Sequence, residues 1–156
     1  MKRKIPGFAN TRLLSTGPRV GIRSSRRMVG KYTLRPEDIL GERKFEDGIS
    51  ASGYPIDIRS ADGTETDSRI MREGGYYTIP YRCLVNDAIQ NLMAAGCNIS
   101  ASFEAQASTR TSPSCGALGH AAGCAAALAV KAGVLPTQVN TAELREALRE
   151  QNAVVD

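Results

Sequence analysis

The sequence predicts an α/β chain, on three observations. Residues 91–95 are a short apolar run of the kind found in a buried strand; Gly96 ends it, and after a polar loop an Ala/Gly-rich helix runs over residues 115–131. Upstream lie two runs rich in β-forming residues, at 52–59 and 76–84. At the far end Asn140, Glu143, Leu144 and Leu148 mark a capped amphipathic helix. A chain of 156 residues with 42% hydrophobic content can bury the core of one domain, or be part of a larger one.

In chain order, the first 44 residues hold twelve Lys/Arg against three Asp/Glu, and the remainder holds eight against thirteen. The opening MKRK meets Pro6, Gly7 and Asn10 rather than an apolar segment, so no signal peptide is expected and the expected location is the cytoplasm. Arg19, Arg23, Arg26, Arg27 and Lys31 form the densest basic run. It reads as a nucleic-acid patch, an anion-binding or salt-bridged wall, or a solvated face, and the lack of interleaved aromatics favours the wall. Pro36 at a first helical position, followed by Glu37 and Asp38, predicts a short helix near 34–40, with looser sequence after it. Over residues 52–59, Tyr54, Ile56 and Ile58 alternate with Pro55, Asp57 and Arg59 as in a half-buried edge strand, and Asp62-Gly63 supplies a turn. Pro80 within 76–84 implies an edge or a bulge. Tyr54, Tyr76, Tyr77 and Tyr81 either line a ligand wall or pack a strand pair, the latter being favoured.

Pro113, with Ser112 and Ser114 beside it, starts the long helix. Gly116, Gly119 and Gly123 interrupt it at about 1 kcal/mol each relative to Ala, so a packing or ligand reason is expected. Gly119, Gly123 and Ala127 share one face, which would let another backbone come close. A glycine, a polar loop and a helix with unpaired first amides make a site for negative charge or carbonyl oxygens, while packing on a sheet is the plainer reading of such a helix. The apolar stretch suggests a membrane span by length; His120, Lys131 and the missing aromatic belt argue against it. Cysteines 83, 97, 115 and 124 contain no CxxC pair, and His120 is the only histidine, which argues against zinc or another metal. Cys115, in the first turn of the helix, is expected to have a lowered pKa and to react fastest of the four.

The blocks GPRVGIRSSRRMVGKYTL, GYPIDI, YYTIPYRCLV and NLMAAGCNISASFEAQASTRTSPSCGALGHAAGCAAALA, in this order and spacing, resemble the carboxy-terminal part of bacterial FAD-dependent oxidoreductases of the glutathione-reductase-like class. The resemblance covers nearly the whole chain. It implies a partial FAD/NAD(P)-binding-type fold, its last strand and helices in residues 87–156, joined to part of a β-rich substrate domain in residues 1–86. It further implies that Gly96, Cys97 and Asn98 approach the diphosphate and ribityl chain of FAD, and that Ser114, Cys115 and Gly116 face the pyrimidine edge of the flavin. Arg23, Tyr81, Arg82 and Arg110 would face or support the pocket of a small organic substrate. At least one of Arg23, Arg26 and Arg27 should then point inward and meet an acid or an anion, Asp57 and Glu104 being the first partners to check.

Departures accompany the matches. Ser24 stands where the family has an acid, Cys97 where it has arginine, Phe103 for histidine, Ser112 for methionine and His120 for glutamine. The chain contains no GxGxxG, the loop that holds the ADP half of FAD. The implied activity is hydride transfer from an organic substrate to flavin, completed by an amino-terminal half that carries the loop. This chain alone is expected not to retain FAD, and to self-associate or bind that half, with neither nucleic acid nor membrane as partner. The alternative is a non-catalytic remnant or interaction module that keeps the fold without the cofactor.

Overall fold

The computed structural model describes residues 4–60 and 64–156; most of the basic opening and the turn expected at Asp62-Gly63 lie outside the described residues. Among the described residues, four strands, β1 (Gly48–Ser52), β2 (Ile56–Arg59), β3 (Thr66–Arg69) and β4 (Tyr77–Pro80), lie between helix α1 (Pro36–Leu40) and the helices α2 (Phe103–Thr109), α3 (Ser112–Ala132) and α4 (Thr141–Glu150), in the order α1-β1-β2-β3-β4-α2-α3-α4. The sheets are small: β1 pairs antiparallel with β4, and β2 with β3. The β1–β4 register shifts between Gly48 and Ser50, next to the Gly48–Pro80 pair, where a residue without an N–H interrupts the ladder. β1 falls in the stretch read as loose. Its GISAS sequence has little strand preference, and pairing with β4 under the long helix overrides that.

Two expectations need correction. Residues 91–95 form no strand: one antiparallel bridge links Val85 to Met93, the Ala94 amide donates to Leu84 O at 3.0 Å, and Asn91 and Leu92 are exposed. A buried strand needs a ladder on each edge, and this run has a partner on one edge at one position. The polar loop after Gly96 contains α2, capped by Ser102, whose hydroxyl accepts from the Ala105 amide at 3.1 Å.

The other helices begin where their caps predict. α1 opens at Pro36, and the buried Asp38 carboxylate accepts from the Arg35 amide at 3.0 Å and from Tyr32 and Arg43. α4 is capped by Asn140, which accepts from the Ala142 amide at 3.0 Å; Leu144 and Leu148 are fully buried, and Arg145 donates to Gly48 O at 2.6 Å, so α4 closes over β1 and α3. α3 ends at Gly133, whose φ of 65° closes the helix through bonds to Ala129 O and Val130 O. Ser114, Leu118, Ala121, Ala125 and Ala129 form its buried stripe, packed toward β1 and α4. Gly116, Gly119 and Gly123 face away, and a Cβ built on any of them meets nothing within 4 Å. The close backbone neighbour expected for Gly119 and Gly123 is therefore not among the described residues. α3 is long and apolar enough to cross a membrane, and here it presents its inward stripe to a core shared with Leu34, Ile49, Tyr77 and Leu144.

Candidate functional site

Gly96–Asn98 is a single 3₁₀ turn, and Gly96 takes φ +69°, a left-handed conformation that favours glycine. The turn lies against the start of α3: a Cβ on Gly96 would sit 3.7 Å from both Cβ and Sγ of Cys115. The Cys97 and Cys115 sulfurs are 3.6 Å apart, and Cys115 Sγ also lies 3.7 Å from Thr109 O. Burial, and then the neighbouring Cys97 sulfur, push the Cys115 thiol up to about 11. This corrects the expected lowering. The thiol meets a second sulfur and a carbonyl rather than N–H donors, so the helix end does not outweigh desolvation.

The remaining candidates at this end are unequal. Asn98 is tied to the basic segment, its Nδ2 donating to Arg26 O and its carbonyl accepting from the Met28 amide, both at 2.9 Å. Ser114 is buried, accepting from Thr111 Oγ1 at 3.0 Å and donating to Ser52 Oγ at 3.4 Å. Gly116 is exposed on the outer face.

A hollow of about 350 Å³ opens at the same helix start, lined by Arg23, Tyr54, Asp57, Arg110, Thr111 and Ser112 among others. Arg110 is steadied by donating to Asp57 O at 3.2 Å, and Arg23 is exposed. Of the three clustered arginines, Arg27 turns inward, its Nη1 3.4 Å from Gln106 Oε1. Its hydrogen-bond partner there is an amide; the charge of Arg27 also reaches Glu104, whose carboxyl is held below its usual range by its own backbone amide first, then by Ser102, and by Arg69 and Arg27, and Arg26 is exposed.

Tyr81 and Arg82 lie elsewhere. The buried Tyr81 hydroxyl donates to Pro136 O at 2.8 Å, pinning the connection between α3 and α4, and burial pushes it up to about 12. Arg82 makes a forked pair with Asp47 at 2.9 and 3.1 Å and lies over the Tyr32 ring, lining a different hollow with Arg43, Arg145 and Arg149. Tyr77 is a packing residue: its hydroxyl lies 2.7 Å from Ser108 Oγ, which donates to Tyr54 O at 2.5 Å, and burial raises its pKa.

Sequence reasoning missed Gln106. This side chain is fully buried; its Oε1 accepts from Ser24 Oγ at 2.7 Å, and its Nε2 donates to Cys97 O at 2.7 Å. The N-cap serine at Ser102 signals the start of α2, and no local pattern marks Gln106 as its inward residue.

With this geometry in hand, comparison places the chain. A model of the FAD-dependent oxidoreductase family matches residues 1–148, and the chain belongs to that family. No curated protein and no solved structure matched in the corresponding comparisons.

The family implies FAD, and the donor set here fits one end of it. Thr111 opens α3 without capping it through its side chain; Pro113 has no N–H and the Cys115 amide is taken by Thr111 O, which leaves the Ser112 and Ser114 amides of the first turn for carbonyl oxygens such as those on a flavin ring edge. A diphosphate is not matched in the same way. The Asn98 amide is held by Arg26 O, the Cys97 and Cys115 thiols face each other, and none of these groups is cationic.

Proposed function

We propose that this chain forms the ring-edge and substrate-side wall of an FAD-dependent oxidoreductase of the glutathione-reductase-like class, and that a GxGxxG-bearing unit completes the diphosphate site. One observation supports this above the others: the Gly96 turn and the Arg23–Arg110 hollow converge on the same helix start, since Cys115 touches Gly96 while Thr111 and Ser112 line the hollow. When bound, FAD supplies two-electron acceptance of a hydride. The α3 amides orient ring carbonyl oxygens and favour negative charge beside them. Arg23 and Arg110 hold a polar or anionic small organic substrate over that edge, and Gln106 fixes the Cys97 carbonyl and with it the turn.

In this reading residues 1–86 carry the substrate region and residues 87–156 the ring-edge region, in a cytoplasmic protein with no nucleic-acid or membrane partner. The exposed glycine stripe of α3, with Ile89, Leu92 and Phe103 also exposed, offers apolar surface to the completing unit or to a second copy. Equilibrium dialysis against FAD, with light scattering on the same sample, tests the reading. The expected result is no stoichiometric micromolar retention by the chain alone, together with association. A monodisperse monomer that binds FAD stoichiometrically would overturn the half-site.

A further inference from the structure

We propose that Cys97 and Cys115 are a redox-active pair, a dithiol that low-molecular-weight disulfides oxidise to an intramolecular disulfide. The four cysteines of the chain are not equivalent. Cys83 is fully buried, and burial pushes its thiol up to about 12, which leaves it inert. The Cys124 sulfur has the Gln151 amide for a neighbour, at 3.5 and 3.8 Å. Cys97 and Cys115 are both partly exposed, and their sulfurs meet at 3.6 Å across 18 positions of sequence. A disulfide needs its sulfurs about 2 Å apart and its Cβ atoms about 4 Å apart. Gly96, the residue before Cys97, already lies against Cys115, a Cβ built on it sitting 3.7 Å from the Cys115 Cβ, so closure asks the two sulfurs to move from 3.6 Å to bonding distance. No group of three or more metal-ligating side chains occurs among the described residues, so the pair does not belong to a larger metal site.

The chemistry balances as thiol–disulfide exchange. A Cys97 thiolate attacks one sulfur of the small disulfide RSSR, forming a mixed disulfide and releasing RS⁻, which takes a proton. Cys115 then loses its proton to solvent and attacks the Cys97 sulfur, forming the intramolecular bond and releasing the second RS⁻. Two protein thiols and one RSSR become one protein disulfide and two RSH; the protein gives up two electrons and two protons. The order follows from geometry. Cys115 Sγ lies 3.6 Å from the Cys97 sulfur and 3.7 Å from Thr109 O, so its thiol can donate to a thiolate on Cys97; in this order Cys97 attacks first and Cys115 resolves. Closure fastens the Gly96–Asn98 turn to the first turn of α3. The inference concerns thiols alone and stands whether or not flavin binds.

The test treats the full wild-type chain with oxidised glutathione, quenches with acid, alkylates the remaining thiols, and reads intact mass and peptide map. The expected result is loss of two of the four thiols, a Cys97–Cys115 cross-link without retained glutathione, and recovery of all four with dithiothreitol. Cys115→Ser should instead hold a stable glutathione adduct on Cys97, and Cys97→Ser should form no intramolecular bond. Retention of four thiols, a stable adduct on the wild type, or a cross-link through Cys83 or Cys124 would overturn the proposal.

Discussion

The two faces of α3 are both built mainly of small residues and meet different surroundings. On one, Ser114, Leu118, Ala121, Ala125 and Ala129 are buried toward β1 and α4; on the other, Gly116, Gly119, Gly123 and Val130 are exposed. Small side chains thus serve two purposes in one helix. Inward, Ala permits close packing on a thin two-stranded sheet. Outward, Gly lowers helix preference and gains no contact within the described residues.

The largest effect expected from breaking this contrast is on the inner face. Leu118 is fully buried, and Leu118→Ala should cost about 2–5 kcal/mol by urea unfolding, because the sheet beneath cannot collapse into the gap. A loss below about 1 kcal/mol, the scale of an exposed site, would show that α3 is not seated as described. On the outer face the sign reverses. Gly119→Ala and Gly123→Ala should each raise the stability of the isolated chain by up to about 1 kcal/mol, read as a higher melting temperature. If the completing unit docks there, the same changes should weaken association in light scattering, which separates the two roles of that face.

The smallest effect concerns Cys115, on the flank between the faces. Its folded pKa, about 11, lies above the ordinary thiol value of 9.0, so its contribution to stability is complete below about pH 9 and disappears as the pH rises toward 11. Wild type should therefore lose more stability over that interval than Cys115→Ser, by a modest amount because the thiol is partly solvated. Parallel pH profiles for the two proteins would contradict the assignment.

What could be read from the sequence was whatever is governed locally. Pro36, Pro113 and Asn140 act through their own backbones and nearest amides, and α1, α3 and α4 start where these residues put them. The misses depend on distant partners. α2 hides its helical character because its buried face includes Gln106 and Ser108, polar groups that become inward only once Ser24, Cys97 and Tyr54 arrive. The apolar run 91–95 looks like a strand because its composition suits one, and it lacks the ladder that would make it so. The same division holds for the candidate site. The glycine turn and the helix start were visible as separate motifs, but the meeting of Cys97 with Cys115 was not, since spacing along the chain carries no record of two segments folded side by side. The resemblance groups Tyr81 and Arg82 with Arg23 and Arg110, and Asp47 and Pro136 draw them to other sides of the fold.

A buried glutamine has a mechanical consequence. Gln106 accepts at one end from Ser24 and donates at the other to Cys97 O, and an amide can do both at once only in one orientation. Its two ends therefore work like the jaws of a clamp mounted on α2, one on the arginine-rich segment and one on the 3₁₀ turn. Displacement of either jaw is resisted by the other, so a molecule tugging on the arginine-rich segment would be felt at the glycine turn through this one side chain.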